Sequence, residues 1–439
     1  MLFLAASVSG QCVNLTDISS YASKINNISG VFYINQNTTL CTQTYDFTSS
    51  SDDGVLRFNN SNIFLDCNNS LINGSNLSSS YGIYLPAGMG NNTVVNCTVK
   101  GYFGGVYINS SNNILLNSTL ENDFYGIYLD SNSTNSVIQD SRARYNKHGI
   151  YSNQSCNNTF KNISASYNDW YGFQLTSSHL NSFIDITAHN NSQGFIHLFS
   201  SINNSFRNVD ARENNQSVYF YHGSSNNLFI DSVLNQSTTS DVYVDSSFPV
   251  DCTINNTFIN VSFNNISFND CEGSSDVCLL RVKWYAMVQV NYSNQTPVSG
   301  ASVNVYNNSD TLIDSGVTGS TGFTRFNLTG FDVSSVSSGV FAGDRNNHSN
   351  YTINVFDGVY NHSILVNPVS NSWIPFILGD CTTYCSSCGD CSAAIKTANP
   401  GDVICLDSNI TNASTSFCIN VSTNNITFSC QGNRVDGNH

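Results

Sequence analysis

The sequence predicts an all-β chain whose larger part is a solenoid of stacked coils. An asparagine recurs nine times, and from Asn92 to Asn227 the steps are 21, 22, 23, 23, 23 and 23 residues. A unit of that length is too short to bury a core alone, so it has to bury its apolar face against copies of itself. The recurring residues are Asn62, Asn92, Asn113, Asn135, Asn158, Asn181, Asn204, Asn227 and Asn256.

A second landmark predicts a short strand in each unit. The tetrapeptides Gly-Ile-Tyr-Leu, Gly-Val-Tyr-Ile, Gly-Ile-Tyr-Leu and Gly-Ile-Tyr-Ser begin at Gly82, Gly105, Gly126 and Gly149. Apolar and polar residues alternate at period two and no 3.6-residue period is present, which is typical of strands. If one unit is one coil, equivalent residues lie about 4.8 Å apart along the solenoid.

The recurring asparagine is predicted to point into the solenoid at a corner. Its amide has both donors and an acceptor, so stacked copies can hydrogen-bond to one another and to the corner backbone. A preference of asparagine for turns is the alternative, but such a preference does not hold one residue in register through nine units. The predicted ladder is Asn92, Asn113, Asn135, Asn158, Asn181, Asn204, Asn227 and Asn256, with Phe160, Phe183 and Phe206 stacked beside it.

These rows resemble the parallel β-helix repeat family, the right-handed solenoids found in polysaccharide-active enzymes and in many surface proteins. The resemblance covers residues from about 54 to 270, through the Gly-Ile-Tyr-Leu and Asn-Asn-x-Phe-x-Asn rows. It implies a right-handed fold, but it implies no activity.

Two later segments are predicted to form further β modules. Short alternating strands with Gly and Pro turns predict a β-sandwich, and PVSGASVNVY, followed by SGVTGSTGFTRF, resembles the carboxypeptidase-regulatory-like, immunoglobulin-type module. Further on, NITFSCQGNRVDGN from Asn425 aligns without a gap with NIFLDCNNSLINGSN from Asn62. This repeat predicts the start of a second β-helix in a protein that continues beyond it.

The predicted order of the chain follows from these segments. It is a signal-peptide remnant (1–11), an N-terminal cap (12–53), a right-handed parallel β-helix (54–280), an immunoglobulin-like β-sandwich (281–375) and the Cys-rich start of a second, truncated β-helix (376–439).

The composition indicates a secreted, glycosylated protein. Charged residues make up 10% of the chain and the net charge is −15, which disfavours nucleic acid as a partner. The apolar start and 33 Asn-x-Ser/Thr sequons indicate export and glycosylation. No segment is long and apolar enough to be predicted as a membrane span. The sequon-rich, charge-poor style resembles archaeal cell-surface proteins.

The 15 cysteines predict disulfides in such a chain. Cys67 and Cys97 occupy equivalent positions on adjacent coils, and Cys271 with Cys278 would close a small loop. A further cluster could hold zinc or iron-sulfur, but its C-x3-C-x2-C-x2-C spacing fits no standard metal motif, so disulfides are favoured. That cluster is Cys381, Cys385, Cys388 and Cys391. No metal or cofactor is predicted.

An outward aromatic strip is the candidate binding surface. In Gly-Ile-Tyr-Leu, Ile83 and Leu85 are predicted to face the core, so Tyr84 faces solvent. Such a strip can pack against sugars or protein, although a good strand residue copied with the repeat is the alternative. Gln174 and Ile196 are the predicted equivalents that lack a tyrosine. The candidate binding residues are Tyr84, Tyr107, Tyr128, Tyr151, Trp170, Tyr219 and Tyr243.

A catalytic site is only weakly indicated. Asp185 and Asp231 lie two coils apart in one predicted row, about 9.6 Å, with Arg207 on the coil between them. Paired carboxylates can cleave glycosidic bonds, but a mixed ladder with the asparagines of that row is favoured. Five histidines are predicted to be solvated loop residues, namely His148, His179, His189, His197 and His222.

The predicted function is that of a non-catalytic, secreted cell-surface protein, structural or adhesive, with glycans or neighbouring surface-protein copies as partners. The alternative is a polysaccharide-active β-helix enzyme, a lyase or a glycoside hydrolase. An enzyme should have a groove with clustered acids over the sheet, whereas a coat or stalk should have a uniform ladder. The outward rings also predict that replacing Tyr107, Tyr128 and Tyr151 with serine leaves folding almost intact.

Overall fold

The computed structural model describes residues 12–17, 19, 23–47, 54–245, 255–269, 278–293, 295–335, 344–379, 381–400, 402–413, 418–424, 426–430 and 433–437. The predicted signal remnant and Cys271, the expected partner of Cys278, lie outside these residues. The chain divides into two compact units, Met1–Arg281 with Val333–Arg345, and Val282–Asp332 with Asn346–His439.

The first unit is an all-β solenoid of short strands. Its strands, in chain order, are β1 (Ile25–Ile28), β2 (Val31–Ile34), β3 (Thr38–Thr39), β4 (Thr44–Asp46), β5 (Leu56–Phe58), β6 (Phe64–Asp66), β7 (Leu71–Leu85), β8 (Thr93–Val95), β9 (Thr98–Ile108), β10 (Ile114–Leu116), β11 (Thr119–Glu121), β12 (Tyr125–Leu129), β13 (Val137–Gln139), β14 (Arg142–Arg144), β15 (His148–Asn153), β16 (Thr159–Ser164), β17 (Tyr171–Thr176), β18 (Ser182–Thr187), β19 (Gly194–Phe199), β20 (Ser205–Asp210), β21 (Gln216–Tyr221), β22 (Leu228–Val233), β23 (Ser240–Asp245), β24 (Asn256–Ser262) and β25 (Ile266–Asn269).

Successive coils pair in parallel and in register, so equivalent residues stack. Ile150 pairs with Phe173, Phe173 with Ile196, and Ile196 with Val218, on β15, β17, β19 and β21. All four side chains are fully buried. Because side chains alternate between the two faces of a strand, the residue that follows each of them faces outward.

A second row of the core is aromatic. Phe160, Phe183, Phe206 and Phe229 are fully buried. Their ring centroids lie 4.7, 4.5 and 4.3 Å apart, with interplanar angles of 6°, 14° and 12°. This spacing is close to the distance between paired strands, so the ring stack follows from the strand register.

Buried asparagines form a hydrogen-bonded ladder at one corner. The Oδ1 of Asn204 accepts the backbone N–H of Asn181 at 2.9 Å and its Nδ2 at 3.1 Å. The Nδ2 of Asn204 donates to the Oδ1 of Asn227 at 3.1 Å and to the carbonyl of Ser178 at 3.0 Å. Each amide is therefore buried without losing its hydrogen bonds. The ladder asparagines are Asn92, Asn113, Asn158, Asn181, Asn204, Asn227 and Asn256, all at most 1% exposed.

Asn135 is not part of this ladder, and its predicted place in it was wrong. It is exposed to solvent and left-handed, with a φ of 55°. The buried Ser136 occupies the ladder position instead, because its hydroxyl accepts the N–H of Asn113 and its own N–H donates to Asn158 Oδ1. Most other coils have two adjacent asparagines here, one outward and one inward. A coil with a single asparagine can be aligned with either row.

The position before each ladder residue turns the chain at a left-handed corner. It has a φ of 59° at Asn91, 58° at Asn157 and 57° at Asn226, and asparagine is among the residues that adopt this conformation most readily. Asn62 occupies this outward position as well, with a φ of 62°. The inward position of this coil is therefore taken by Ile63 and not by the recurring asparagine Asn62. The backbone N–H of Ile63 donates to Asn92 Oδ1 at 2.8 Å.

The stretch predicted as an N-terminal cap contributes strands to the solenoid. β2 pairs in parallel with β5, β3 with β6 and β4 with β7, whereas β1 folds back antiparallel onto β2. Disulfides join Cys12 to Cys41 and Cys67 to Cys97, with Cα atoms 4.8 and 4.9 Å apart. Both bonds link positions on neighbouring coils.

The remaining elements are β26 (Cys278–Tyr292), β27 (Ser302–Tyr306), β28 (Leu312–Val317), β29 (Phe323–Ser335), β30 (Asp344–Asn347), β31 (Tyr351–Phe356), β32 (Asn361–Val366), β33 (Ser372–Leu378), β34 (Thr383–Cys385), α1 (Cys388–Thr397), β35 (Val403–Leu406), β36 (Ile410–Ala413), β37 (Thr427–Ser429) and β38 (Val435–Gly437).

The second unit contains a core that two groups of strands share. One group is a four-stranded antiparallel sheet in the order β28, β27, β31, β32, and the other includes β26 paired in parallel with β33. Val288 and Phe376 of the second group pack in one cluster with Val303 and Ile353 of the first.

The four clustered cysteines form disulfides. Cys381 bonds to Cys405, Cys385 to Cys391 and Cys388 to Cys418. Around these bonds, β35 pairs in parallel with both β34 and β37. No helix in the described parts of the chain has the length and apolar character needed to cross a membrane.

Replacing Phe183 with alanine is expected to lower the free energy of unfolding by about 3 to 5 kcal/mol, because it leaves a cavity between Phe160 and Phe206. Urea denaturation followed by circular dichroism measures the loss. Leu180→Asp, at an exposed left-handed corner of the same coil, is the control and should change stability by less than about 0.5 kcal/mol. Equal effects of the two substitutions would contradict the stacked core.

Replacing Asn204 with leucine is expected to destabilise the solenoid, because it removes the acceptor of two donors of Asn181. Each polar group left buried without a partner costs about 1 to 3 kcal/mol. The matched control is Asn226→Gly, which changes an outward asparagine at a left-handed corner. A leucine variant that unfolds at the same urea concentration as this control would show that the ladder contributes nothing.

Candidate functional site

Tyrosines on four successive coils form an outward column, here called the tyrosine row. Tyr84 pairs with Tyr107, Tyr107 with Tyr128, and Tyr128 with Tyr151 in parallel register. The ring centroids of successive members lie 5.0, 4.9 and 5.1 Å apart. The column continues on the next coils through Gln174, His197, Tyr219 and Tyr243.

His197, and not Ile196, is the member of this column, so the predicted alignment of that coil was wrong. Gly194 pairs with Tyr171, one position earlier than the glycine of the other coils. Ile196 therefore lies in the buried core row, where it pairs with Phe173 of the preceding coil. An alignment that superimposes glycines shifts this coil by one residue, and a shift of one residue exchanges the two faces of a strand.

The rings of the tyrosine row lie largely against one another. The Tyr107 ring stacks on that of Tyr81 at 4.3 Å and on that of Tyr84 at 5.0 Å, and Tyr107 is only 9% exposed. The Tyr125 ring stacks on Tyr151 at 4.9 Å. Stacking uses the faces of the rings, so the row presents mainly ring edges and hydroxyls to solvent. We therefore expect Tyr107→Ser to cost stability, which revises the expectation from the sequence for that residue.

A second ladder, which the sequence reasoning missed, holds the backbone beside the row. The Oδ1 of Asn168 accepts the backbone N–H of Asn146 at 3.0 Å, and the Oδ1 of Asn146 accepts that of Asp123 at 2.9 Å. The Oδ1 of Asp123 accepts the N–H of Tyr102 at 2.8 Å. The ladder continues through Asn191 and Asn214, and all of its members are buried.

This second ladder and the backbone of the next coil together explain the glycine of the repeated Gly-Ile-Tyr motif. A Cβ on Gly126 would lie 2.7 Å from the Nδ2 of Asn146, and a Cβ on Gly149 would lie 2.8 Å from that of Asn168. Either Cβ would also lie 2.6 Å from the carbonyl oxygen of the equivalent glycine on the next coil, so a side chain at either glycine would displace both the amide and the backbone. The motif glycine, paired with an asparagine one coil later, is the signal that could have revealed this ladder in the sequence.

A cation lies between two aromatic rings at the edge of the tyrosine row. The Nζ of Lys147 is 4.9 Å from the ring centroid of Phe124 and 4.2 Å from that of Trp170, which is within the range of cation–π attraction. Trp170 is 38% exposed. At the start of the row, the guanidinium of Arg57 lies 5.1 Å from the ring centroid of Tyr84.

Two tyrosines of the column donate to carboxylates. The hydroxyl of Tyr107 donates to Asp130 Oδ2 at 2.5 Å, and that of Tyr219 donates to Asp245 Oδ2 at 2.8 Å. Burial, reinforced by the bonded carboxylate, raises the pKa of both phenols far above the usual value. Because neither phenol loses its proton readily near neutral pH, neither is suited to act as a general base.

His148 is buried and His197 is half-buried in the aromatic surface, and both lie on strands, β15 and β19, so their prediction as solvated loop residues was wrong. His148 is 2% exposed and its ring lies 5.1 Å from that of Tyr125. The ring of His197 stacks on that of Tyr219 at 4.7 Å. Burial lowers the pKa of both histidines to about 4, so both rings are neutral at pH 7.

The candidate catalytic residues Asp185 and Asp231 lie in a hydrogen-bonded ladder at another corner, where Asp185 is exposed and Asp231 is half-buried. Asp185 and Asp231 each accept a hydrogen bond from the amide of the next coil, Asn208 and Asn260, both at 2.7 Å. Both aspartates are left-handed, with φ of 57° and 51°. Arg207 is exposed on the coil between them. The carboxylates are thus used in corner hydrogen bonds, and a catalytic role for them stays a prediction.

The described residues contain no cluster of three or more His, Cys, Asp or Glu that could hold a metal ion. One pocket of about 310 Å³ lies at the start of the solenoid, and none of its lining residues belongs to the tyrosine row. Asp46 is the one acid among its lining residues, which are Leu15, Thr16, Asn27, Gly30, Phe32, Tyr45, Asp46 and Phe47. This pocket does not have the paired acids that a glycosidase needs.

Asp123 is a carboxylic acid in a ladder whose other members are asparagines. Its Oδ2 is buried and has no hydrogen-bond partner. Burial raises the pKa of this carboxyl well above its usual value, and the nearby charge of Glu121 raises it further. The protonated form is therefore the one that fits the ladder.

Replacing Asp123 with asparagine is expected to stabilise the protein at pH 7 and to have little effect at pH 4. The folded pKa is raised, so the stability contributed by the acid is complete below the unfolded pKa of about 3.9 and is lost as the pH rises through the folded value. Thermal unfolding of both proteins at the two pH values measures the difference. Asn146→Asp is the reciprocal control and should introduce a similar loss at pH 7. A gain from Asp123→Asn that is equal at both pH values would contradict a protonated Asp123.

The comparisons with known proteins concern the solenoid. The family of right-handed beta helix regions matches residues 11–150 and 104–273, which together span more than half of the chain. None of the curated proteins matches the sequence.

Three solved structures illustrate how distant the structural similarities are. The A-module of the Azotobacter vinelandii mannuronan C-5 epimerase AlgE6 is 16% identical, over 55% of this chain and 83% of that one, with a TM-score of 0.42. Tailspike protein 2 of the Escherichia coli O157:H7 bacteriophage CAB120 is 11% identical over 77% and 61%, with a TM-score of 0.38. The Streptococcus pneumoniae surface protein and adhesin PfbA is 12% identical over 54% and 91%, with a TM-score of 0.31. Similarity at this level carries no inference about activity, but the family match is sufficient to conclude that the chain belongs to the right-handed β-helix family.

Proposed function

We propose that the solenoid binds extended polysaccharide chains along the tyrosine row, as part of a secreted cell-surface protein. The observation that carries this proposal is the column of four in-register tyrosines, whose rings follow one another at 5.0, 4.9 and 5.1 Å. Each of these four coils presents the same phenol, so the surface repeats there at the spacing of the coils. A partner that itself repeats can contact several coils at once.

Ring edges and phenol hydroxyls would make the contacts, because the ring faces are used within the row. A phenol hydroxyl can both donate and accept, as sugar hydroxyls do. Each such hydrogen bond contributes about 1 kcal/mol net, so useful affinity needs several contacts together. A long glycan chain supplies them, whereas a small sugar does not.

Residues at the edge of the tyrosine row are also suited to bind a polysaccharide. Trp170 is the most exposed ring of this surface among the described residues, and Lys147 lies against it at 4.2 Å. An exposed indole offers a face or an edge for packing, together with one N–H donor. The row and Trp170 thus form one aromatic surface that spans successive coils.

Disulfides and sequons support the placement outside the cell. The described residues contain five disulfides, and such bonds persist in oxidising compartments. We further propose that the second unit includes an immunoglobulin-like spacer and that the Cys-rich segment begins a second β-helix. The shared core of the two groups of strands and the parallel pairing of β34, β35 and β37 support these assignments.

A polysaccharide-active enzyme is the second candidate, and the phenol–carboxylate pairs favour it. Tyr107 with Asp130 and Tyr219 with Asp245 place an O–H and a carboxylate together on the sheet that would face a bound glycan. The raised pKa of both phenols weighs against proton abstraction by either tyrosine. Binding without turnover therefore remains the main proposal, and its test includes a measurement of turnover.

Removing two rings of the row is expected to weaken polysaccharide binding while leaving the solenoid folded. In Tyr128→Ser/Tyr151→Ser, the loss should be roughly 1 kcal/mol for the hydrogen bond of each phenol, or about fivefold in affinity for each. Tyr145 and Tyr167 provide a matched control, because their rings also stack, at 5.6 Å, but at a different corner where both are 51% exposed. Their replacement by asparagine, which tolerates the left-handed backbone there, should leave binding unchanged.

Retention of the protein on a panel of immobilised polysaccharides, followed by titration with the best ligand, measures this effect. Circular dichroism checks that both variants are folded, and a reducing-end assay on the same polysaccharides detects turnover. Equal loss of binding in the two double variants would refute the tyrosine row as the binding surface. Self-association detected by sedimentation, without retention on any polysaccharide, would assign the row to contacts between copies.

A further inference from the structure

We propose that N-linked glycans are attached in a column along the corner that precedes the asparagine ladder. The proposed sites share the sequence Asn-Asn-Ser/Thr and one position in the coil. This proposal does not depend on what the tyrosine row binds. They are Asn91, Asn157, Asn203 and Asn255.

The three residues of each such sequon have fixed directions. In Asn203-Asn204-Ser205, the first asparagine is exposed at the left-handed corner, the second is buried in the ladder and the third begins β20. Ser205 precedes the buried Phe206, so it lies on the outer face of the strand. The acceptor amide and the hydroxyl of the sequon therefore both lie on the outside, and the residue between them holds the corner in place.

The acceptor amides are available for modification. Asn91, Asn157, Asn203 and Asn255 are exposed, with φ between 57° and 59°. Asn157 donates to the side-chain oxygen of Asn135, which uses one of its two amide hydrogens and leaves the other. Attachment at Nδ2 keeps one N–H, so this hydrogen bond can remain after modification.

The asparagines of the ladder are excluded from modification by the same geometry. Asn158 and Asn204 point inward, and the residues two places later, Phe160 and Phe206, belong to the buried aromatic row. Because that position must be apolar, a ladder asparagine does not begin a sequon. Glycans and the ladder thus occupy adjacent residues without competing.

The modification is a group transfer whose donor is a lipid-(pyro)phosphate-linked oligosaccharide, supplied with a transferase by the secretory machinery. A bond forms between the asparagine Nδ2 and the anomeric carbon, and the bond from that carbon to the phosphate oxygen breaks. The amide loses one proton and the lipid phosphate leaves with the bonding electron pair. No oxidant or reductant is needed.

The column would coat one corner and leave the tyrosine row open. Asn157 and Asn203 are two coils apart, which places their glycans roughly 10 Å from each other along the solenoid. In the strands that carry the row, no sequon begins between the first aromatic residue and the tyrosine, as in Tyr81–Tyr84 and Tyr125–Tyr128.

The chain contains matched control positions at the same corner. Asn112 and Asn226 are exposed with φ of 59° and 57°, but Ile114 and Leu228 stand where the sequon needs a hydroxyl. Leu228 lies between Ser205 and Thr257 in the parallel register. A threonine therefore fits at position 228.

Glycopeptide mass spectrometry of the full chain, secreted from a host that glycosylates Asn-x-Ser/Thr, tests the proposal. Site-resolved spectra are expected to show a glycan on Asn157 and on Asn203, whereas Asn226 itself is expected to be unmodified. Ser205→Ala should remove the glycan from Asn203 alone, and Leu228→Thr should add one at Asn226. The proposal would be overturned if Asn157 and Asn203 carried no glycan, or if Asn226 stayed unmodified in the Leu228→Thr protein.

Discussion

Hydrogen bonds between asparagine side chains of successive coils set the register on which the rest of the solenoid depends. Asn181, Asn204 and Asn227 each accept from the coil before and donate to the coil after. An apolar core alone would penalise less a slip of two residues between coils, because such a slip keeps the same face of each strand inward. A buried amide that misses its partner costs about 1 to 3 kcal/mol, so the ladder penalises every such shift.

The register of the coils also fixes the positions of the side chains on the outer surface. Tyr128 lies over Tyr107 because Ile127 lies over Val106 in the core, and the second ladder fixes the backbone where each of these strands begins. A repeated inner contact therefore produces a repeated outer one. The same property makes the solenoid suited to a repeating ligand and unsuited to a single small substrate, for which one deep pocket would be needed.

The sequence was sufficient to predict the solenoid, the inward asparagines of most coils and the outward tyrosines. It failed where two adjacent rows have similar residues, as at Asn135 and Ser136, because spacing alone does not distinguish an outward corner asparagine from an inward one. It failed again at Ile196 and His197, where the landmark glycine shifts by one position. Burial of His148 could not be read from the sequence, since it depends on rings contributed by neighbouring coils.

Hydrogen exchange of asparagine side-chain amides, measured by NMR on a segmentally labelled protein, tests the central role of the ladder most directly. The Nδ2 hydrogens of Asn181, Asn204 and Asn227 are predicted to exchange orders of magnitude more slowly than those of the outward Asn203 and Asn226, because only the former are buried and bonded between coils. Equally fast exchange in the two groups would contradict the account.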